Sequence, residues 1–205
     1  MIRFRKIIQL AFLLVFALLI YKKKIQLWML IFLLSAISAF IFGRFYCGWI
    51  CPINTLMEVN DWIYKKLKIK RKVIPDFVKS NFIRLSILTI FVLAFILNNK
   101  FYKSIPILLI LIILAILISF IYEPSLWHKY LCPFGIILNV PGKFSKHYLN
   151  VKDEKCIKCG ACKSACPADA IKMENKNEFP KILKEYCLEC TACIKACKKD
   201  AIKYV

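Results

Sequence analysis

Acidic side chains are scarce in this sequence. It has 12 Asp and Glu against 32 Lys and Arg, for a formal net charge of +20. Up to residue 150 the only acids are Glu58, Asp61, Asp76 and Glu123, while hydrophobic residues, 60% of the chain, gather in long runs before residue 122. A soluble domain would need a broad polar shell to cover those runs, and so few acids argue against one. A nucleic-acid binder, another common meaning of so basic a balance, is rarely this apolar. Lys and Arg held at the cytoplasmic face of a membrane, opposite anionic lipid, fit both features.

Histidine is scarcer still. His128 and His147 are the only two, and neither lies inside an apolar run, where the axial ligands of a membrane haem would have to sit. Glycine is limited to five residues, and no glycine-rich dinucleotide fingerprint follows a strand, so nothing supports bound NAD or FAD.

The apolar runs are Ile7 to Tyr21, Ile25 to Phe42, Phe82 to Leu97 and Ile105 to Tyr122. Each falls a little short of the roughly 20 residues that span a bilayer, and basic flanks such as Arg5, Lys6, Lys22, Arg84 and Lys103 can snorkel to extend them. The first run resembles a signal peptide, but Tyr21-Lys22-Lys23-Lys24 follows it in place of a small-residue cleavage site, so it reads as the first helix of a hairpin. Arg3, Arg5 and Lys6 precede the first helix, and Arg44, Lys65, Lys66, Lys68, Lys70, Arg71, Lys72 and Lys79 lie between the second and third. The remaining loops carry only Lys22 to Lys24 and Lys100 with Lys103, so both termini and the central loop are expected in the cytoplasm. After Pro52, the spacing of Ile53, Leu56, Met57, Ile63 and Leu67 predicts a short amphipathic helix lying in the membrane interface.

Cysteine, by contrast, is abundant. Of the eleven, Cys156, Cys159, Cys162 and Cys166 recur 31 residues later as Cys187, Cys190, Cys193 and Cys197, and Asp169-Ala170-Ile171 recurs as Asp200-Ala201-Ile202. Two C-x2-C-x2-C-x3-C sets are the spacing of [4Fe–4S] ligands, in which the fourth cysteine of each set ligates the other cluster. That assigns Cys156, Cys159, Cys162 and Cys197 to one cluster, and Cys187, Cys190, Cys193 and Cys166 to the other. Zinc also takes C-x2-C pairs, but it would leave half the ligands redundant and the duplication without a reason. Cluster ligands must stay thiolates, which places this part of the chain in a reducing, cytoplasmic setting.

A second repeat lies in the apolar half. Phe45-Tyr46-Cys47-Gly48-Trp49-Ile50-Cys51-Pro52 follows the second run, and Leu126-Trp127-His128-Lys129-Tyr130-Leu131-Cys132-Pro133 follows the fourth. Cys47 matches His128, Cys51 matches Cys132, and the prolines coincide. Duplicated hairpins would bring two ligand pairs to matching cytoplasmic turns, so Cys47, Cys51, His128 and Cys132 form a candidate joint metal or iron–sulfur site, against the plainer reading that they are buried small side chains at tight turns.

The expected fold is thus an α-helical membrane protein, with four transmembrane helices as two repeated hairpins over residues 1–146, plus a small α+β two-cluster ferredoxin domain of bacterial type over residues 147–205. With its GRxxCGWxCP-type turn, the second copy of that turn and the C-terminal double-cluster module, the whole chain resembles the membrane-bound ferredoxin-type quinol dehydrogenases associated with periplasmic nitrate reductase, nitrous-oxide reductase maturation and methylamine utilisation. The family usually carries C-x3-C-P in both copies, and His128 departs from that. The resemblance implies an inner-membrane, multi-pass electron-transfer protein that passes electrons between a membrane quinone-type carrier and redox protein partners, with no nucleic acid involved. The readings weighed beside it are a non-catalytic relay subunit of a larger membrane oxidoreductase and an iron–sulfur sensor or assembly protein.

Overall fold

The computed structural model describes residues 2–98, 100, 106–175 and 178–205. Lys103 and Ile105, which the sequence places at the start of the fourth apolar segment, lie outside the described residues. Four apolar helices are present among the described residues: α1 (Ile2–Tyr21), α2 (Gln26–Phe42), α5 (Asn81–Leu97) and α6 (Ile107–Ile121). Of these, α1 is long and apolar enough over Phe4–Tyr21 to cross a membrane, while α2, α5 and α6 are shorter, at 17, 17 and 15 residues. α1 begins earlier than the apolar run suggests and takes in Arg3, Arg5 and Lys6. Contacts divide the chain into two compact units, one of residues 1–52 with 137–205 and one of residues 53–136.

In the first unit, the turn Lys22 to Ile25 joins α1 to α2, with Lys23 at φ 54°. Trp28 anchors the pair. Its indole donates to the Tyr46 hydroxyl at 2.9 Å, and the Phe16 ring meets it edge-on at 4.9 Å. α2 stops at Gly43, whose φ of 64° an L side chain rarely adopts and whose N–H donates to the Ala39 carbonyl at 3.0 Å. The chain then forms the short α3 (Phe45–Trp49). The Cys51 N–H closes this turn onto the Tyr46 carbonyl at 2.9 Å, five residues back.

The second unit holds most of α4 (Pro52–Leu67), together with α5, α6 and α7 (Pro124–Leu126). α4 starts at Pro52, where the missing N–H costs nothing. It buries Ile53 and Met57 beside Asn54 and Asn60, and leaves Ile63 and Leu67 exposed. Asn60 reaches α6 by donating to the Ser119 hydroxyl at 2.6 Å, and the Tyr64 hydroxyl donates to the Phe120 carbonyl at 2.9 Å. Arg71 pairs with Asp61 at 2.6 Å and lies over the Tyr64 ring at 4.2 Å. After α7, a π turn over Trp127–Leu131 ends at Cys132, whose N–H donates to the Trp127 carbonyl at 2.8 Å. α8 (Pro133–Lys143) follows. Both repeated turns therefore close with the same five-residue hydrogen bond, and in each a proline starts the next helix.

The C-terminal module belongs to the first unit. It has two antiparallel strand pairs and two short helices. β1 (Leu149–Val151) pairs with β4 (Ile202–Tyr204) with Asn150 opposite Lys203, and β2 (Ile171–Lys172) pairs with β3 (Lys181–Ile182). α9 (Ala161–Ala165) and α10 (Ala192–Ala196) stand between them. The outer strands come one from each half of the repeat, and so do the inner ones. Leu149, Ala168, Ala170, Ile171, Leu188, Ala201 and Ile202 form the small core.

Candidate iron–sulfur sites

The cysteine loops are shaped by backbone positions that repeat with the sequence. Lys158 and Glu189 take φ of 56° and 52°, Gly160 and Thr191 take 73° and 58°, and Asp169 and Asp200 take 47° and 49°. Two left-handed residues per half, Lys158 with Gly160 and Glu189 with Thr191, lie within the three-cysteine loop, whose thiols face one space, and the third, Asp169 or Asp200, follows the fourth cysteine. Each half then sends its fourth cysteine across. A cavity of about 310 Å³ is lined by Cys156, Cys159, Cys162 and Cys197. A second cavity is lined by Cys166, Cys187, Cys190 and Cys193. The crossed strand pairing is what carries Cys166 and Cys197 to the opposite half.

The sulfurs receive backbone support. The Ala170 N–H donates to Cys166 Sγ at 3.3 Å, and the equivalent Ala201 N–H donates to Cys197 Sγ at 3.4 Å. Burial raises the Cys162 and Cys187 thiols and pushes Cys193 up to about 12; the charges of Cys190 and Cys166 also raise Cys193. Buried thiols of this kind stay protonated on their own and ionise when a metal centre supplies positive charge. Four sulfur donors in a mainly apolar cavity, with an amide directed at one of the sulfurs, fit a [4Fe–4S] cluster in each half. Among the described residues no three His, Cys, Asp or Glu side chains are grouped as around a single metal ion. Cys47 and Cys51 are buried in the first unit, and His128 and Cys132 are buried in the second.

Nothing in the spacing of residues signals what the first turn does to the second cysteine loop. The Trp49 indole donates to the Glu189 carbonyl at 2.9 Å, between two cysteines of that loop. The Arg44 guanidinium donates to the Glu185 carbonyl at 3.3 Å and to Asn139 Oδ1 at 3.0 Å. Gly48 lies against the same loop so closely that a Cβ there would stand 2.1 Å from the Leu188 carbonyl oxygen. The Gly48 carbonyl in turn accepts from Gln9 at 3.0 Å and from Arg5 at 3.4 Å. Arg5 and Arg44, counted above as basic loop and flank residues, are buried. Arg44 Nη2 also lies 3.8 Å from Cys47 Sγ. The His147 N–H, donating to the Ile41 carbonyl at 2.8 Å, fixes the module where it leaves α8.

Glu189 is a buried acid in this seam. Burial pushes its carboxyl up to about 7, while hydrogen bonds from Cys187 and Tyr204 pull the other way. Its position, between two candidate ligands, gives no hint of burial in sequence, because a glutamate is ordinarily exposed.

An apolar helical part joined to a duplicated pair of four-cysteine cavities defines an iron–sulfur protein of ferredoxin type. The 4Fe-4S binding domain family matches twice, at residues 25–70 and 104–152, and the 4Fe-4S dicluster domain family matches residues 148–198. An uncharacterized protein of Methanocaldococcus jannaschii is 30% identical over 139 residues, 66% of this chain and 56% of that protein. YccM of Escherichia coli, provisionally named an electron transport protein, is 24% identical across 68% of this chain and 46% of its own length. The methylamine utilization ferredoxin-type protein MauN of Methylorubrum extorquens is 31% identical across 60% of this chain and 47% of its own. The chain spans about half the length of the curated relatives it matches. No solved structure matches it. The chain belongs to the family of ferredoxin-type 4Fe–4S proteins. The two matches of the first domain take in the repeated turns, each with the apolar helix before it, α2 and α6.

Proposed function

We propose that the chain is a membrane-anchored electron-transfer protein with two [4Fe–4S] clusters, one held by Cys156, Cys159, Cys162 and Cys197, the other by Cys187, Cys190, Cys193 and Cys166. The observation that carries this reading is the pair of cavities, each lined by three cysteines of one set and the fourth of the other. When bound, each cluster takes up and releases one electron at a time. The residues supply the setting. Ala170 and Ala201 amides donate to ligand sulfurs, which favours the thiolate form and tunes the potential. Gly48, Trp49 and Arg44 hold the second cysteine loop on the turn after α2.

The membrane part of the proposal is four crossing helices with the module on the cytoplasmic side. Its support is the apolar surface these helices leave uncovered. Leu14, Leu18, Leu33, Leu34, Ile37, Leu93, Ile96, Ile113 and Leu117 are all exposed, and α5 buries no residue. Such a surface is unfavourable in water and neutral in lipid. The electron donor or acceptor on that side is a quinone-type carrier or a membrane redox partner, as the family resemblance implies, and the counterpart is a redox protein. Iron and acid-labile sulfide counting on detergent-purified protein tests the proposal. About eight of each per chain is expected for two cubanes, and one metal per cavity without sulfide would refute it.

A further inference from the structure

The two halves of the module repeat each other in backbone but not in what covers them. In the second half, the Cys187–Cys190 loop is covered by the chain itself. Leu188 is 1% exposed under Gly48, and the Glu189 carbonyl takes the Trp49 indole. In the first half, the equivalent positions are Ile157 and Lys158. Ile157 is 61% exposed, and Cys159 is exposed beside it. The same loop shape is thus a seated surface in one copy and a bare one in the other.

The charges differ in the same sense. Lys198 and Lys199 line the first cavity, and no acidic side chain does. The second cavity is lined by no charged side chain at all. Asp153, Glu154 and Asp200 are exposed in the neighbouring sequence but line neither cavity. Lys158 replaces the buried Glu189 of the other half, with its ammonium over the Phe179 ring at 4.1 Å. An apolar side chain at the centre with lysines at the rim is the pattern of a protein docking site whose partner carries carboxylates.

We propose that this face, centred on Ile157 and rimmed by Lys198 and Lys199, docks an acidic electron-carrier protein, which covers the Cys156–Cys159 loop as residues 44–49 cover the Cys187–Cys190 loop. The partner's role as a carrier rests on the function proposed above; the docking face rests on the exposure and charge of the first half. An anionic bilayer would also attract the lysines. It is the less fitting occupant, because the loop held against the turn after α2 within this unit is the second one, already covered.

Binding to one carrier in two charge states tests this. Full-length protein in detergent micelles is titrated with cytochrome c in its native basic form and with its lysines succinylated, at low and high salt. Preferential binding of the succinylated form, weakened by salt, is expected. The double change Lys198→Glu with Lys199→Glu should weaken it about tenfold or more, Ile157→Glu should weaken it as well, and Lys172→Glu, on β2, should leave it unchanged. Unchanged binding by the cavity variants overturns the proposal, as does an equal loss in Lys172→Glu. Loss of binding to vesicles of anionic lipid, with binding of succinylated cytochrome c retained, would assign the face to the membrane instead. Iron and sulfide, measured on the same samples, report on the cluster reading separately, and the binding comparison stands or falls whatever that content is.

Discussion

Two loops of one design sit in this module, and they have opposite fates. The Cys156–Cys159 and Cys187–Cys190 loops share left-handed positions at matching residues and the same amide-to-sulfur hydrogen bond to the crossing cysteine. The backbone around the candidate ligands is alike in both copies. What meets the outside is not, since Ile157 is exposed where Leu188 is buried, and Lys158 stands where Glu189 is sealed in. The two loops share a backbone, and the side chains beyond it leave one covered and the other bare.

The comparison breaks most sharply at Gly48. Gly48→Ala would drive a methyl group into the Leu188 carbonyl, 2.1 Å away, so the second loop must lift off the turn. A loss of roughly 3 kcal/mol is expected, in the range of severe overpacking. Hydrogen exchange should quicken over residues 185–190 and stay unchanged over 154–159; equal protection in both loops would show that the turn does not hold the second one.

Leu188→Ala and Ile157→Ala sharpen it. The first empties a buried site and should cost about 2–5 kcal/mol of thermal stability. The second removes an exposed side chain and should stay within about 0.5 kcal/mol. Comparable losses in the two would mean that the first loop is covered as well.

Trp49→Phe is the mildest change. It keeps the ring beside Phe45, whose centroid lies 5.1 Å away, but removes the donor to the Glu189 carbonyl. About 1 kcal/mol should go, with faster exchange again confined to the second loop. An unaltered exchange pattern would make the indole hydrogen bond incidental.

The duplicated cysteine spacing is legible because its cause is local: the thiols of each set are separated by intervals of a few residues. The start of α4 was legible too, since proline at a first helical turn acts on its own neighbours. Of the residues read into its apolar face, Ile53 and Met57 are buried and Ile63 and Leu67 are exposed. The roles of Gly48 and Trp49 were hidden, because the loop they meet lies about 140 residues further along the chain, where spacing carries no signal. Arg5 and Arg44 misled for a related reason. Charge counting treats every basic residue near a helix end as solvated, whereas these two are buried by carbonyls that only the fold brings to them. The shortness of α2, α5 and α6, at 17, 17 and 15 residues, was legible as well, because the apolar runs themselves fall short of about 20 residues.

Electron paramagnetic resonance of the reduced full-length protein, comparing Cys166→Ala with Cys197→Ala, bears most directly on the two cavities. Cys159→Ala identifies the signal of the first cluster by removing or altering it. Cys197→Ala should disturb that same signal and leave the other, although Cys197 belongs to the second set in sequence. Cys166→Ala should do the reverse. If each substitution instead disturbs the cluster of its own set, the ligands do not cross, and the assignment of the two cavities is wrong.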